Sequence, residues 1–118
     1  MTEMEIQQRN IRELIKLTAK YPDLPILPLV DEEVVDSPDY QSYLGCWGVP
    51  EKTKWIRGAD YIHIYRPDDM EEVRDAVEDV QGGRYDIYKM SDSEKVELQK
   101  LYEDLNWEDA IMVNIVHP

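Results

Sequence analysis

The chain ends in Ala110-Ile111-Met112-Val113-Asn114-Ile115-Val116, a run that is nearly continuous in apolar character. A strand with one wet face alternates apolar and polar residues, whereas a strand buried on both faces does not. The run therefore predicts a strand placed centrally in a sheet. The rest of the chain must supply the strands beside it and the helices that cover them. With 118 residues and 42% hydrophobic composition, the material is that of one ordinary domain with a real core. Phe is absent, so three Trp and eight Tyr must provide most of the aromatic core volume.

Thr2-Glu3-Met4-Glu5 has capping-box spacing, in which the hydroxyl takes one open amide of the first turn and the glutamate reaches back. Ile11, Leu14, Ile15 and Thr18 recur at three- and four-residue steps, which predicts a first helix over residues 3–20, ended by Pro22. Ile26-Leu27-Pro28-Leu29-Val30 reads as a strand; Pro28 lacks a ladder donor, so the strand belongs at an edge or carries a bulge. Asp36-Ser37-Pro38-Asp39 has turn chemistry. Residues 40–66 read as a β-meander. Its first strand covers residues 40–49, where Gly45 and Gly48 point to a bulge or a close backbone contact. Thr53-Lys54-Trp55-Ile56-Arg57 is the second strand, Gly58-Ala59-Asp60 a turn, and Tyr61-Ile62-His63-Ile64-Tyr65 an alternating third strand.

Pro67-Asp68-Asp69 opens a second helix, with Pro near its first position and acids in its first turn. Met70, Val73, Val77 and Val80 form its apolar stripe, and Gly82-Gly83 stops it. Tyr85-Asp86-Ile87-Tyr88 reads as a short strand. Ser91-Asp92-Ser93-Glu94 repeats the capping box, and Leu98, Leu101, Tyr102 and Leu105 give a third helix one buried face. This order predicts a single α+β domain over residues 1–118, with about three helices against one face of a largely antiparallel sheet.

Charge narrows the function. Asp and Glu total 26 against 13 Lys and Arg, a formal charge of −13. Direct DNA or RNA binding needs clustered cations and is disfavoured. The acids concentrate in three segments. Asp31, Glu32, Glu33, Asp36 and Asp39 have no basic neighbour. Asp68, Asp69, Glu71, Glu72, Asp75, Glu78 and Asp79 surround the single Arg74. Residues 92–109 form the third segment. On the second helix, Asp68, Glu72, Asp75 and Asp79 follow steps of four, three and four, which predicts one ridge flanked by Glu71 and Glu78. Neighbouring side-chain roots on such a ridge lie about 5–6 Å apart. That spacing approximates successive phosphates of a DNA strand, so the ridge can occupy a basic groove built for nucleic acid. The plainer reading is a solvated acidic face that keeps a small domain dispersed.

Catalytic and metal chemistry find little footing. Cys46, His63 and His117 are not at zinc-motif spacing, and no EF-hand or phosphate-binding glycine loop is present. No metal or other cofactor is therefore expected. A lone Cys46 has no nearby activating base in the sequence and reads as a structural thiol. Asp60 with His63 and nearby carboxylates is a loose suggestion of a metal-dependent hydrolase or nuclease. Tyr61, His63 and Tyr65 share one strand face and form either a core face or an aromatic contact surface. No apolar run reaches the roughly 18 residues of a membrane span. The acidic N-terminus does not read as a signal peptide, and one cysteine fits a reducing cytoplasm.

Tyr21-Pro22-Asp23-Leu24-Pro25-Ile26, Val34-Val35, Gly45-Cys46-Trp47-Gly48 and Trp107-Glu108-Asp109-Ala110-Ile111-Met112-Val113 together give the chain its resemblance. It resembles small acidic proteins encoded by phages and prophages of Gram-positive bacteria. In size and charge it is similar to phage anti-defence inhibitors, including anti-CRISPR proteins that occupy the DNA-binding groove of a nuclease. That group shares a strategy rather than a fold, so the resemblance transfers no binding residue. It implies a non-enzymatic, DNA-mimicking inhibitor in the bacterial cytoplasm. Its partner would be a host nucleic-acid-binding protein such as a CRISPR nuclease. Contact would run through Asp68, Asp69, Glu71, Glu72, Asp75, Glu78 and Asp79, extended by Asp31, Glu32 and Glu33. Two alternatives stand beside it: an accessory or structural interaction domain that can form a homodimer, and the small metal-dependent hydrolase.

Overall fold

The computed structural model describes residues 1–35 and 44–118. The fold is α+β, with a mixed, mostly antiparallel five-stranded sheet. In chain order the elements are α1 (Glu3–Lys20), β1 (Ile26–Val30), a 3-10 turn (Glu32–Val34), β2 (Cys46–Trp47), β3 (Glu51–Arg57), β4 (Ile62–Ile64), α2 (Met70–Gln81), α3 (Asp92–Glu103) and β5 (Glu108–Val116). The chain divides into two units: Met1–Thr53 with Asp109–Pro118, and Lys54–Glu108.

In the first unit β5 is central, as its nearly continuous apolar run predicts. β1 runs parallel to it from Ile26 opposite Ile111 to Val30 opposite Ile115, and β2 runs antiparallel with Trp47 opposite the same Ile115. Residues 110–113 are buried. Among the described residues β1 pairs only with β5, so Pro28 sits on an edge strand, where a missing donor is tolerated. α1 starts at Thr2, whose hydroxyl accepts from the Glu5 amide at 3.2 Å. Its inward face differs from the expected stripe: Asn10 is buried, while Ile15 is 61% exposed. The cause is polar. Asn10 Nδ2 donates to the Trp47 carbonyl at 2.9 Å, and the Trp47 amide donates to Gln7 Oε1 at 3.3 Å.

These bonds also correct the predicted meander. β2 is two residues long and pairs with β5, not with β3, because α1 side chains hold the Trp47 backbone. Gly48 N–H donates to the Asn114 carbonyl at 2.8 Å, and a Cβ at Gly48 would stand 2.8 Å from that oxygen. Gly48 is thus the close backbone contact that the glycine pair announced. The Asp36-Ser37-Pro38-Asp39 turn and the start of the expected strand at residues 40–43 lie outside the described residues.

In the second unit β3 and β4 form an antiparallel hairpin, with Trp55 opposite Ile64, Ile56 opposite His63 and Arg57 opposite Ile62. α2 packs against α3. The core gathers Ile56, Val73, Val77, Leu98 and Tyr102, with Ala76, Ile87 and Leu105 around them. Tyr102 is fully buried; its hydroxyl accepts from the Arg66 amide at 2.6 Å, and its ring stacks on Tyr65 and meets the edge of Trp107. With no Phe available, this polar aromatic must find a partner for its hydroxyl, and the chain supplies one. The α3 capping box at Ser91 and Glu94 forms in both directions. Two local expectations change. Pro67 precedes the α2 N-cap, Asp69, and stands outside the first helical turn. Residues 85–88 are not a strand, and a turn closes over residues 86–89 instead: Asp86 Oδ1 accepts from the Tyr88 amide at 3.2 Å, and the Lys89 amide donates to the Asp86 carbonyl at 3.1 Å.

Candidate partner-binding groove

The second unit is organised around one carboxylate. Asp79, near the end of α2, accepts from the Asp60 amide at 2.9 Å, the Tyr61 amide at 3.0 Å and His63 Nε2 at 2.7 Å. The Ala59 amide donates to the Asp79 backbone carbonyl at 3.2 Å. The turn between β3 and β4 is thereby fastened to α2. Close approach demands glycine at the start of that turn, since a Cβ at Gly58 would stand 2.0 Å from Asp79 Oδ2. The Asp79 and His63 side chains are only 9% and 7% exposed. The His63 bond, helped by the two amides and opposed by burial, holds the Asp79 carboxyl below its ordinary range.

This geometry rewrites the expected ridge. Asp79 points inward to the hairpin. Asp68 precedes the helix, and Asp69 is its N-cap, accepting from the Glu71 and Glu72 amides at 3.1 and 3.4 Å. Four acids remain along the outer arc of α2: Glu71, Glu72, Asp75 and Glu78. Three are positioned by partners. Glu71 accepts from the Tyr88 hydroxyl at 2.6 Å, Glu78 from the Tyr85 amide at 3.0 Å, and Asp75 from Arg74 Nε at 3.0 Å. Neutral donors fix a carboxylate without cancelling its charge. Among the described residues the Arg74 contact is the ion pair that offsets one, so the arc stays strongly anionic and partly preorganised.

Between this arc and the hairpin lies an open groove of about 710 Å³. Residues 59–63 form one wall, and Glu72, Asp75, Glu78 and Asp79 form the other. Tyr61 is 70% exposed, although its amide is held by Asp79 and its carbonyl accepts from the Gly58 amide at 2.7 Å. Beyond Asp75 and Glu78, a smaller depression of about 420 Å³ is lined by Arg74, Arg84, Tyr85 and Asp86. The acidic groove is therefore bounded by the molecule's own arginines on that side.

The other sequence candidates separate. Asp31, Glu32 and Glu33 are exposed in the first unit, where Asp31 and the 3-10 turn follow β1. His63 is buried against Asp79 and faces the core side of β4, while Tyr65 joins the Tyr102 and Trp107 cluster and donates to Glu103 at 2.6 Å. Of the expected aromatic stripe only Tyr61 is an open surface. Cys46 is buried with its thiol 3.5 Å from Glu3 Oε1, and burial followed by that carboxylate pushes the thiol up. Among the described residues no three His, Cys, Asp or Glu side chains are arranged to hold a metal ion. Among the same residues no helix is long and apolar enough to cross a membrane.

The sequence signals for the groove were Gly58 at a turn and the two-residue alternation that set Tyr61 beside His63. Neither told that α2 would close over them, because the Asp79 contact joins residues 16 to 19 positions apart. No family model matches the chain, and neither a curated protein nor a solved structure does so.

Proposed function

We propose that the protein is a non-catalytic inhibitor of phage origin. It acts in the bacterial cytoplasm by covering a phosphate-reading basic surface of a host nucleic-acid-handling protein. The resemblance to phage anti-defence proteins points to a CRISPR nuclease as the class of target. One observation carries the reading: the outer arc of α2 presents Glu71, Glu72, Asp75 and Glu78, three of them held by hydrogen bonds, and Arg74 is paired with Asp75. Fixed carboxylates match fixed cations at a lower ordering cost than mobile ones. Asp68 adds charge at the start of the helix, and Asp31, Glu32 and Glu33 are a second acidic segment available to a partner. Asp69 and Asp79 serve the contact indirectly, by holding the helix and the hairpin.

The test is affinity capture from a bacterial lysate, followed by competition with double-stranded DNA. A nucleic-acid-binding protein should be retained at low salt, released at high salt and displaced by DNA. The double variant Glu72→Lys with Asp75→Lys should retain nothing while keeping its circular dichroism. Retention by that variant would remove α2 from the contact.

A second reading, an accessory interaction domain whose acids serve solubility, is favoured by the first unit. There the edge strand β1 exposes Ile26 at 48% and Val30 at 57%. Self-association that persists at high salt in sizing experiments would favour it.

A further inference from the structure

Acidic arcs attract cations of any shape, but this groove has a second wall of different chemistry. Tyr61 places an exposed phenol ring there, and Ile62, 37% exposed, stands beside it. The ring is carried on a backbone that cannot drift: Asp79 holds its amide, and the Gly58 amide holds its carbonyl. Across the groove, Glu72 and Asp75 lie one helical turn apart. An exposed aromatic face opposite a pair of carboxylates is chemically asymmetric. An ammonium, compact and strongly hydrated, gains from the carboxylates and little from the ring. A guanidinium is planar, more weakly hydrated, stacks on aromatic faces and donates in pairs to carboxylates.

We infer that the groove between α2 and the β3–β4 turn is an arginine-selective pocket, which takes the guanidinium of an arginine-bearing segment of the partner against Tyr61, with Glu72 and Asp75 as acceptors. The inference rests on the reading of the α2 arc as the partner-binding surface and adds what that surface discriminates. The occupant follows from charge complementarity together with the aromatic wall. Glu78 also lines the groove, and Arg74 and Arg84 in the adjoining depression disfavour a cationic guest there. Asp79 is already committed to the hairpin and supplies field rather than a direct contact.

The experiment titrates the full chain with end-blocked oligoarginine and oligolysine peptides of equal length, read by amide chemical shifts at low salt. Oligoarginine should bind about two- to fivefold more tightly than oligolysine, the range expected for one exposed cation–ring contact. Its shifts should fall on residues 59–62 and on α2 near Glu72 and Asp75. Tyr61→Ala leaves the charge and the core untouched. It should abolish the preference for arginine by lowering oligoarginine affinity to that of oligolysine. Equal affinity for the two peptides, with shifts on α2 alone, would overturn the pocket and leave the acidic surface standing. Absence of binding by either peptide would overturn both. An arginine preference that survives Tyr61→Ala would overturn the role of the ring, and with it the pocket.

Discussion

Asp79 fixes the geometry of the hairpin that faces α2, and its ionised form is the one that does so. Its carboxyl is held below its ordinary range chiefly by the His63 bond, so the stability it contributes is present above the ordinary carboxylate pKa and lost as pH falls through its lowered folded value. Asp79→Asn keeps the size but weakens the acceptor. It should be less stable than the parent near neutral pH, with the difference closing in acid; denaturant unfolding at the two pH values measures this. A constant difference would show that Asp79 acts through packing alone. Tyr65 shows the opposite sign. The Glu103 carboxylate, aided by burial, pushes its phenol up to about 12. Its neutral form is the stabilised one, so its contribution holds below the ordinary tyrosine pKa and disappears as pH rises through the folded value. Tyr65→Phe should remove a late-ionising phenol from the ultraviolet alkaline titration. Loss of a phenol that titrates in the ordinary tyrosine range would instead exclude the Glu103 contact.

At the scale of elements, α2 and α3 hold the second unit together through residues the sequence announced. Val73 and Val77 follow helical spacing and are fully buried, and Leu98 and Tyr102 do the same on α3. Leu98→Ala should cost about 2–5 kcal/mol in a two-state denaturant experiment. Tyr102→Phe removes the hydrogen bond from the Arg66 amide and should cost about 0.5–1.5 kcal/mol, the net range for one hydrogen bond. Helix boundaries were legible because they depend on local chemistry: Thr2, Asp69 and Ser91 cap with their own neighbours. Strand pairing was less legible. The register of β2 depends on Gln7 and Asn10, distant in sequence, and nothing local distinguishes a two-residue bridge to β5 from a meander strand. Residues 85–88 alternate like a strand, yet the Asp86 side chain draws the chain into a turn. The site shows the same division. Spacing identified Glu72 and Asp75 as neighbours on one face. It also placed Asp79 there, where the hairpin amides claim it.

For the whole molecule, a formal charge of −13 sets the rate and the salt response of any encounter with a basic partner. Association should slow steeply as salt is added, while dissociation changes less. The location of the acids decides whether that attraction becomes specific. The most direct measurement is displacement of DNA from the captured host protein, comparing the parent chain with the Glu72→Lys, Asp75→Lys variant at matched folded content. The parent should displace DNA at low salt and the variant should not. Equal displacement by both chains would contradict a DNA-mimicking role for the outer face of α2.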